Sequence, residues 1–224
     1  MKTLIISDSH SKNPVDFIKS QADRGIEQLD FLGDCDFPDI LEQILALPIN
    51  KLVLSGNHEY GFSKGLDVDS SALRWPLARY IQLWQASRVQ NFVLNPESHL
   101  AERIISGEKI IFCHGCLSAL ETSNPVLEGR LSSPLHSSNI PYNFKKMQEN
   151  NCWILFRGHD HSPEILSLPR QANPFSAPAK KENRALTFRR DKLYIVTVGS
   201  FLEGNYGIFD EQALSFERYV LYKD

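Results

Sequence analysis

The length, composition and charge of the chain favour one globular domain and exclude several classes of protein. Its 224 residues, 42% hydrophobic and 23% charged, suit a domain that buries most of its apolar surface, which excludes a wholly disordered chain. The formal charge of -3 is too small to indicate a specific nucleic-acid-binding surface. We therefore predict a single domain over residues 1–224.

Apolar runs in the chain are too short for membrane insertion or export. The first covers residues 4–6, far below the roughly 18 apolar residues of a membrane span. Four cysteines are few for this length, and the pair Cys113 and Cys116 lacks a second pair that would complete a zinc site. We expect a cytoplasmic protein without membrane association and without a structural disulfide.

Strand-length apolar runs alternate with helical patterns along the first half of the chain. The predicted strands cover residues 3–7, 28–32, 51–55, 109–113, 153–156 and 193–198. Helical patterns cover residues 14–24, 39–47 and 70–88. Alternation of this kind predicts an α/β fold with parallel strands at the centre of the sheet and helices on its faces. Ligand sites in such sheets lie at the carboxyl ends of the strands.

The second half of the chain contains two stretches without a clear periodic pattern. Residues 118–143 are rich in Ser, Pro and Asn and are typical of a long surface loop, and residues 168–182 are typical of an irregular excursion. The end of the chain favours antiparallel strands over residues 184–189, 193–198, 206–209 and 213–221.

Polar residues that bind metals follow five of the predicted strands. In chain order they are Asp8 and His10, Asp34, Asn57, His114, and His159 with His161. With His58, which follows Asn57, five of the seven histidines fall at these strand ends, although scattered histidines would lie mostly on surfaces and helices. Carboxylates combined with imidazoles favour Mn, Fe, Zn or Ni over Ca or Mg. Seven ligands suit two ions better than one, with Asp34 as the natural bridge.

The ordered motifs D-x-H, G-D, G-N-H-E, H-G and G-H-x-H resemble those of the calcineurin-like metallophosphoesterase family, in its small bacterial branch. Residues 198–200 are similar to a glycine turn near the end of such proteins. The resemblance implies a four-layer α/β/β/α sandwich with a mixed central sheet pair. It also implies one ion on Asp8, His10 and His161, and a second ion on Asn57, His114 and His159, with Asp34 between them.

The resemblance further implies a dinuclear metal-dependent hydrolase of phosphate esters. Two ions roughly 3.5 to 4 Å apart, with manganese favoured, would hold and ionise a bridging water as the nucleophile. His58 would act as general acid on the leaving group. Glu59 and Asp8 are both candidates to orient His58, and the sequence does not choose between them.

The substrate is less clearly indicated than the site. The phosphate-binding arginines of protein serine/threonine phosphatases are missing at both of their positions. The Gly33-Asp34 motif is followed by Cys35, and the G-N-H-E motif is preceded by Ser55. This favours a small phosphodiesterase or a broad phosphatase acting on a small-molecule phosphate ester. The candidate substrate-binding residues are Asn57 and, in the loop after His114, Arg130, His136 and Asn139, with Arg74 and Arg157 behind them.

Three alternatives stay open at this point. One is a non-catalytic metal-binding scaffold, and the second is a protein serine/threonine phosphatase. The third is a hydrolase of dinucleotide polyphosphates or cyclic nucleotides, for which Tyr142 and Phe144 are the candidate base-stacking aromatics. The sequence gives no indication of the oligomeric state.

Overall fold

Two six-stranded sheets form the centre of the fold in a computed structural model that describes residues 1–66, 68, 73, 75–117 and 129–221. The strands are β1 (Lys2–Ile6), β2 (Gln28–Phe31), β3 (Asn50–Val53), β4 (Leu100–Ile105), β5 (Glu108–Cys113), β6 (Cys152–Arg157), β7 (Glu164–Pro169), β8 (Lys180–Lys181), β9 (Ala185–Thr187), β10 (Lys192–Thr197), β11 (Asn205–Asp210) and β12 (Ser215–Val220). The helices are α1 (Val15–Asp23), α2 (Pro38–Ala46), α3 (Asn57–Lys64), α4 (Leu77–Gln85), α5 (Gln90–Leu94), α6 (Gly129–Ser132) and α7 (Ile140–Glu149), with a 3-10 helix at Pro96–Ser98.

Both sheets are mixed. The first has the strand order β3-β2-β1-β11-β12-β9, in which β1, β2 and β3 are parallel and the remaining pairs are antiparallel. The second has the order β4-β5-β6-β10-β7-β8, in which β5, β6 and β10 are parallel. The carboxyl ends of both parallel sets carry the residues that follow the predicted strands.

Three apolar clusters separate four layers of secondary structure. Leu4 and Ile6 face the helices α1 and α2, whereas Ile5, between them on β1, faces the second sheet, because successive side chains of a strand alternate in direction. On the far side of the second sheet, Phe144 and Met147 of α7 pack against it. The four-layer α/β/β/α sandwich is thereby confirmed.

Several predicted boundaries are wrong. The 70–88 helix is shorter than expected: α4 begins at Leu77 because Pro76 has an extended backbone that does not continue a helix, while residues 70–72 and 74 lie outside the described residues. The 118–143 loop ends in α6 and in the start of α7, where Pro141 occupies the first turn, a position that favours proline. Residues 118–128 are likewise outside the described part.

The irregular stretch that we expect at residues 168–182 contains the end of β7 and the short strand β8, which pairs with it. None of the described helices has the length and apolar character needed to cross a membrane. All four cysteines are buried free thiols. Burial raises the pKa of each of these thiols, so they are poor nucleophiles where they lie.

Candidate metal centre

The seven predicted metal ligands meet at one edge of the sandwich. They follow β1, β2 and β3 of the first sheet and β5 and β6 of the second, and they form two groups of donor atoms. The first cluster is Asp8, His10 and His161, whose donor atoms lie within 4.8 Å of one another, and the second contains Asp34, His114 and His159 at the same spacing. Asn57 joins the second cluster, with its Oδ1 3.1 Å from His114 Nε2 and 2.9 Å from His159 Nδ1.

The first cluster has the contacts expected of a cation site. The Nε2 atoms of His10 and His161 face each other at 3.0 Å, and Asp8 Oδ1 lies 3.7 Å from His161 Nε2. Asp8 Oδ1 is buried without a hydrogen-bond partner. Because a buried carboxylate oxygen is costly to leave unpaired, the converging lone pairs fit a bound cation.

The second cluster lies directly beside the first. His114 Nε2 is 3.2 Å from Asp34 Oδ2 and 4.0 Å from Asp8 Oδ1, so the two clusters are adjacent. Asp34 Oδ1 accepts a hydrogen bond from the backbone N–H of His58 at 3.0 Å. The bridging role of Asp34 stays a prediction, because its contacts with imidazole nitrogen atoms lie in the second cluster.

The imidazole rings are oriented by hydrogen bonds on their far side. His114 Nδ1 donates to the carbonyl oxygen of Leu32 at 2.8 Å, which leaves Nε2 free to accept or to bind a metal. His10 Nδ1 lies 3.2 Å from Asp36 Oδ1. Partners of this kind fix the tautomer of metal-binding histidines.

Asp36 orients His58, and our prediction of Glu59 or Asp8 for that task is wrong. His58 Nδ1 lies 2.9 Å from Asp36 Oδ1. The Glu59 carboxylate instead accepts hydrogen bonds from the backbone N–H groups of Asp34, Cys35 and Gly56, as a glutamate in the first turn of a helix does. The sequence signal for Asp36 is a second carboxylate two residues after Asp34, in the same strand-end turn.

The backbone around the clusters is strained. Four proposed ligands have positive φ angles, which non-glycine residues seldom adopt: Asp8 (53°), His10 (46°), Asp34 (62°) and His159 (65°). A Cβ atom at Gly56 would collide with the Asp34 carboxylate, and one at Gly158 would collide with Ser7 Oγ. Strain that the surrounding structure maintains in this way is concentrated at functional sites.

The carboxylates and imidazoles of the clusters shift one another's pKa values. Burial opposes charge on His10 and His114, yet hydrogen bonds and the charges of nearby carboxylates raise the pKa of each to about 9. Burial and the neighbouring His114 lower the pKa of His159 to about 4. Despite burial, the charges of His114 and His58 hold the pKa of Asp34 well below its ordinary value.

The predicted substrate-binding residues are less clearly placed. The side chains of Arg130 and His136 are exposed, and the described contacts do not join either of them to the clusters. Asn139 is buried, accepts a hydrogen bond from the backbone of His136 and donates one to the carbonyl of Pro134, so it shapes the start of α7. The roles of Arg130 and His136 stay predictions, and Arg74 lies outside the described residues.

Arg157 and Phe144 are not available to a substrate, which corrects both expectations. Arg157 is fully buried, and its guanidinium donates to the carbonyl oxygens of Gly115 and Ser133, to Thr197 Oγ1 and to Asp160. Phe144 belongs to the apolar cluster between α7 and the second sheet. Arg157 is therefore engaged in buried hydrogen bonds, and Phe144 in core packing.

Comparisons with known proteins find similarity in sequence pattern and in fold. A model of the calcineurin-like phosphoesterase superfamily domain matches residues 1–191, which include every residue of the two clusters. The structure is similar to a metallophosphoesterase from Sphaerobacter thermophilus, with 19% identity, a TM-score of 0.67, and coverage of 100% of this chain and 90% of that one.

Two further solved structures have the same fold. One is a hypothetical protein from Pyrococcus horikoshii OT3, with 14% identity, a TM-score of 0.62, and coverage of 100% and 88% of the two chains. The other is an archaeal phosphodiesterase, with 16% identity, a TM-score of 0.50, and coverage of 99% and 100%. No curated protein sequence gives a significant match. At these identities the likeness to solved structures shows the fold alone.

Proposed function

Because the chain belongs to the calcineurin-like phosphoesterase superfamily, we propose that it is a dinuclear metal-dependent hydrolase of phosphate esters, either a phosphodiesterase or a broad phosphatase. The observation that carries the proposal is the pair of adjacent donor clusters, in which His10 and His161 face each other beside the unpaired oxygen of Asp8. Manganese is the ion that we favour.

The two clusters divide the ligands between two ions. Asp8, His10 and His161 would hold one ion, Asn57, His114 and His159 would hold the other, and Asp34 would contact both. When bound, such ions would lower the pKa of the attacking water and neutralise negative charge on the phosphoryl oxygens. The protein contributes fixed ligand positions, because the rings are already held by Leu32 and Asp36.

His58 is the group that would protonate the leaving oxygen. Its Nδ1 is held by Asp36, so Nε2 is the ring atom available to a substrate. Burial favours the neutral ring, but the charge of Asp34 and the hydrogen bond to Asp36 raise the pKa of His58. A raised pKa keeps the proton that a general acid must deliver.

A protein serine/threonine phosphatase fits the site less well than a phosphodiesterase or a broad phosphatase. Ser55, at the position of one missing arginine, is buried, and its hydroxyl contacts Ser98 Oγ and the carbonyl of Val93. It therefore cannot contribute a charge to a phosphate. A small-molecule phosphate ester, bound in part by Asn57, Arg130 and His136, is the substrate class that we propose.

The proposal is tested by measuring bound metal and hydrolysis together. The protein is loaded with Mn²⁺, Ni²⁺ or Zn²⁺ and assayed with chromogenic phosphodiesters and phosphomonoesters. We expect Asp34→Ala and His114→Ala to bind less metal than the unaltered protein and to lose activity, whereas Asp191→Ala, which removes an exposed carboxylate paired with Arg189, keeps its metal and its activity.

Full activity in Asp34→Ala or His114→Ala would contradict the assignment of the site. Two bound ions without hydrolysis of any ester in the panel would favour the non-catalytic scaffold instead.

A further inference from the structure

The turn between β10 and β11, residues 199–204, packs against the first cluster. Ser200 is fully buried, and its Oγ donates to the carbonyl oxygen of Asp8 at 3.0 Å. The backbone N–H of Leu202 donates to the same oxygen at 3.1 Å, and that of Phe201 donates to the carbonyl of Ser7 at 2.8 Å. The strained backbone of Asp8 is therefore held by this turn from outside its own strand.

The same turn holds the other end of the first cluster. The backbone N–H of Ser200 donates to the carbonyl of His161 at 3.1 Å. Glu203 Oε1 lies 3.8 Å from His161 Nδ1, on the side of the ring away from His10. Gly199 has a φ of 87°, and a Cβ there would lie 2.8 Å from a Pro163 side-chain carbon. The turn thus joins two ligands that are far apart in the sequence.

The second cluster is held by other parts of the chain. His114 is oriented by the carbonyl of Leu32, and Asn57 contacts His114 and His159. The contacts of the described residues do not join the 199–204 turn to the side chains of this cluster. The two clusters meet where the backbone N–H of His159 donates to Asp8 Oδ2 at 3.1 Å.

We propose that Ser200 is a positioning residue for the first ion alone, an inference that rests on the proposed dinuclear function. With one hydroxyl it fixes the carbonyl of Asp8, and with its backbone it fixes the carbonyl of His161. Removal of the hydroxyl frees the strained Asp8 turn to relax, which moves the carboxylate away from the position that it shares with His10 and His161. The second cluster keeps its own support.

The test is a titration of the metal-free protein with Mn²⁺, in which the two affinities are measured by calorimetry. We expect Ser200→Ala to weaken one of the two affinities by about 10- to 100-fold, the usual effect of losing a group that supports metal ligands, and to leave the other unchanged. Two backgrounds identify the affected site. When His114→Ala disables the second cluster, Ser200→Ala should weaken the binding of the one remaining ion. When His10→Ala disables the first cluster, Ser200→Ala should have no effect on the affinity that remains.

Ser167→Ala is the matched control. Ser167 is buried as deeply on β7, and its hydroxyl donates to Glu182 Oε1 at 2.6 Å, away from both clusters. Its removal should leave both affinities unchanged. Glu203→Gln changes an exposed side chain of the same turn and should also weaken the binding of the first ion. It provides a second test if thermal unfolding of the metal-free protein shows that Ser200→Ala does not fold.

An equal loss at both sites, or no loss at either, would overturn the role of Ser200 while leaving the proposed function intact. If the unaltered protein binds no ion, the proposed function fails first, and the inference fails with it.

Discussion

One carboxylate oxygen connects a proposed metal ligand to the proposed general acid. Asp36 Oδ1 lies 3.2 Å from His10 Nδ1 and 2.9 Å from His58 Nδ1, and the two rings lie edge to face with centroids 4.7 Å apart. Hydrogen bonds from both histidines lower the pKa of Asp36, although burial opposes this. The orientations of His10 and His58 are therefore coupled through a single side chain.

His58→Asn should retain both ions and lose turnover. The expected loss is about 10²- to 10⁴-fold for esters with alkyl leaving groups, because these need a proton as the bond breaks. Nitrophenolate leaves without a proton, so the hydrolysis of nitrophenyl esters should be affected much less. Two quantities are measured for the variant: kcat for each of the two kinds of ester, and the metal content. An equal loss for both kinds, or a loss of metal, would make His58 structural.

The sequence indicated the ligands better than the groups that orient them. Strand ends identified all seven donor residues, because a ligand must leave a strand at a sharp turn to enter a shared site. The orienting roles of Asp36 and Ser200 were missed, since the groups that they contact are remote in the sequence. Arg157 was placed among substrate residues because nothing in its local sequence indicates that Gly115, Ser133, Thr197 and Asp160 surround it.

An ion pair between a buried carboxylate and a partly exposed arginine joins strands of the two sheets. Asp30 of β2 is fully buried and contacts Arg103 of β4, which also lies 3.4 Å from Glu211 after β11. The Arg103 guanidinium lies 4.4 Å from the centre of the Phe112 ring. Burial raises the pKa of Asp30 to about 6, and the charge of Arg103 opposes this. The carboxyl group is thus easier to protonate in the folded protein than in the unfolded chain.

Asp30 should make the stability of the protein depend on pH. Its folded pKa of about 6 exceeds the value of about 3.9 in unfolded chains. Its contribution to stability is therefore complete below about pH 4 and is lost as the pH rises through about 6. The loss amounts to about 3 kcal/mol, from roughly 1.4 kcal/mol for each pKa unit.

Urea unfolding between pH 4 and pH 7 measures this effect in the metal-free protein. Relative to Asp30→Asn, the free energy of unfolding of the unaltered protein should fall with rising pH. Asp16→Asn, which changes a solvent-exposed carboxylate on α1, is the control and should give no such trend. A constant difference between the unaltered protein and Asp30→Asn across this range would contradict the raised pKa.

Arg103 also explains why β4 was missed in the sequence. A strand at the edge of a sheet is usually recognised by alternating apolar and polar residues. In β4 the inward-facing Arg103 pairs with Ile110 of β5 and meets the carboxylate of Asp30. The apolar alternation is broken by a residue whose partner is contributed by the other sheet. Parallel strands such as β1 and β6 were recognised, because burial on both faces makes them uniformly apolar.

The sandwich brings the proposed ligands, which lie between residues 8 and 161 of the chain, to one edge of the molecule. Each sheet has a parallel set of strands whose carboxyl ends reach that edge, and the apolar cluster between the sheets, with Ile5, Phe156 and Phe209, holds them face to face. The α/β class followed from the alternation of strands and helices in the sequence. The division into two sheets followed only from the resemblance, because pairing between distant strands leaves no local pattern.

We propose that the two clusters hold two ions side by side. Crystals of the protein loaded with Mn²⁺ and measured at the manganese absorption edge would show directly whether they do. We expect two anomalous peaks, one among Asp8, His10 and His161 and one among Asn57, His114 and His159, with the Asp34 carboxylate contacting both. A single peak, or no peak in fully loaded crystals, would contradict the binding of two ions at the two clusters.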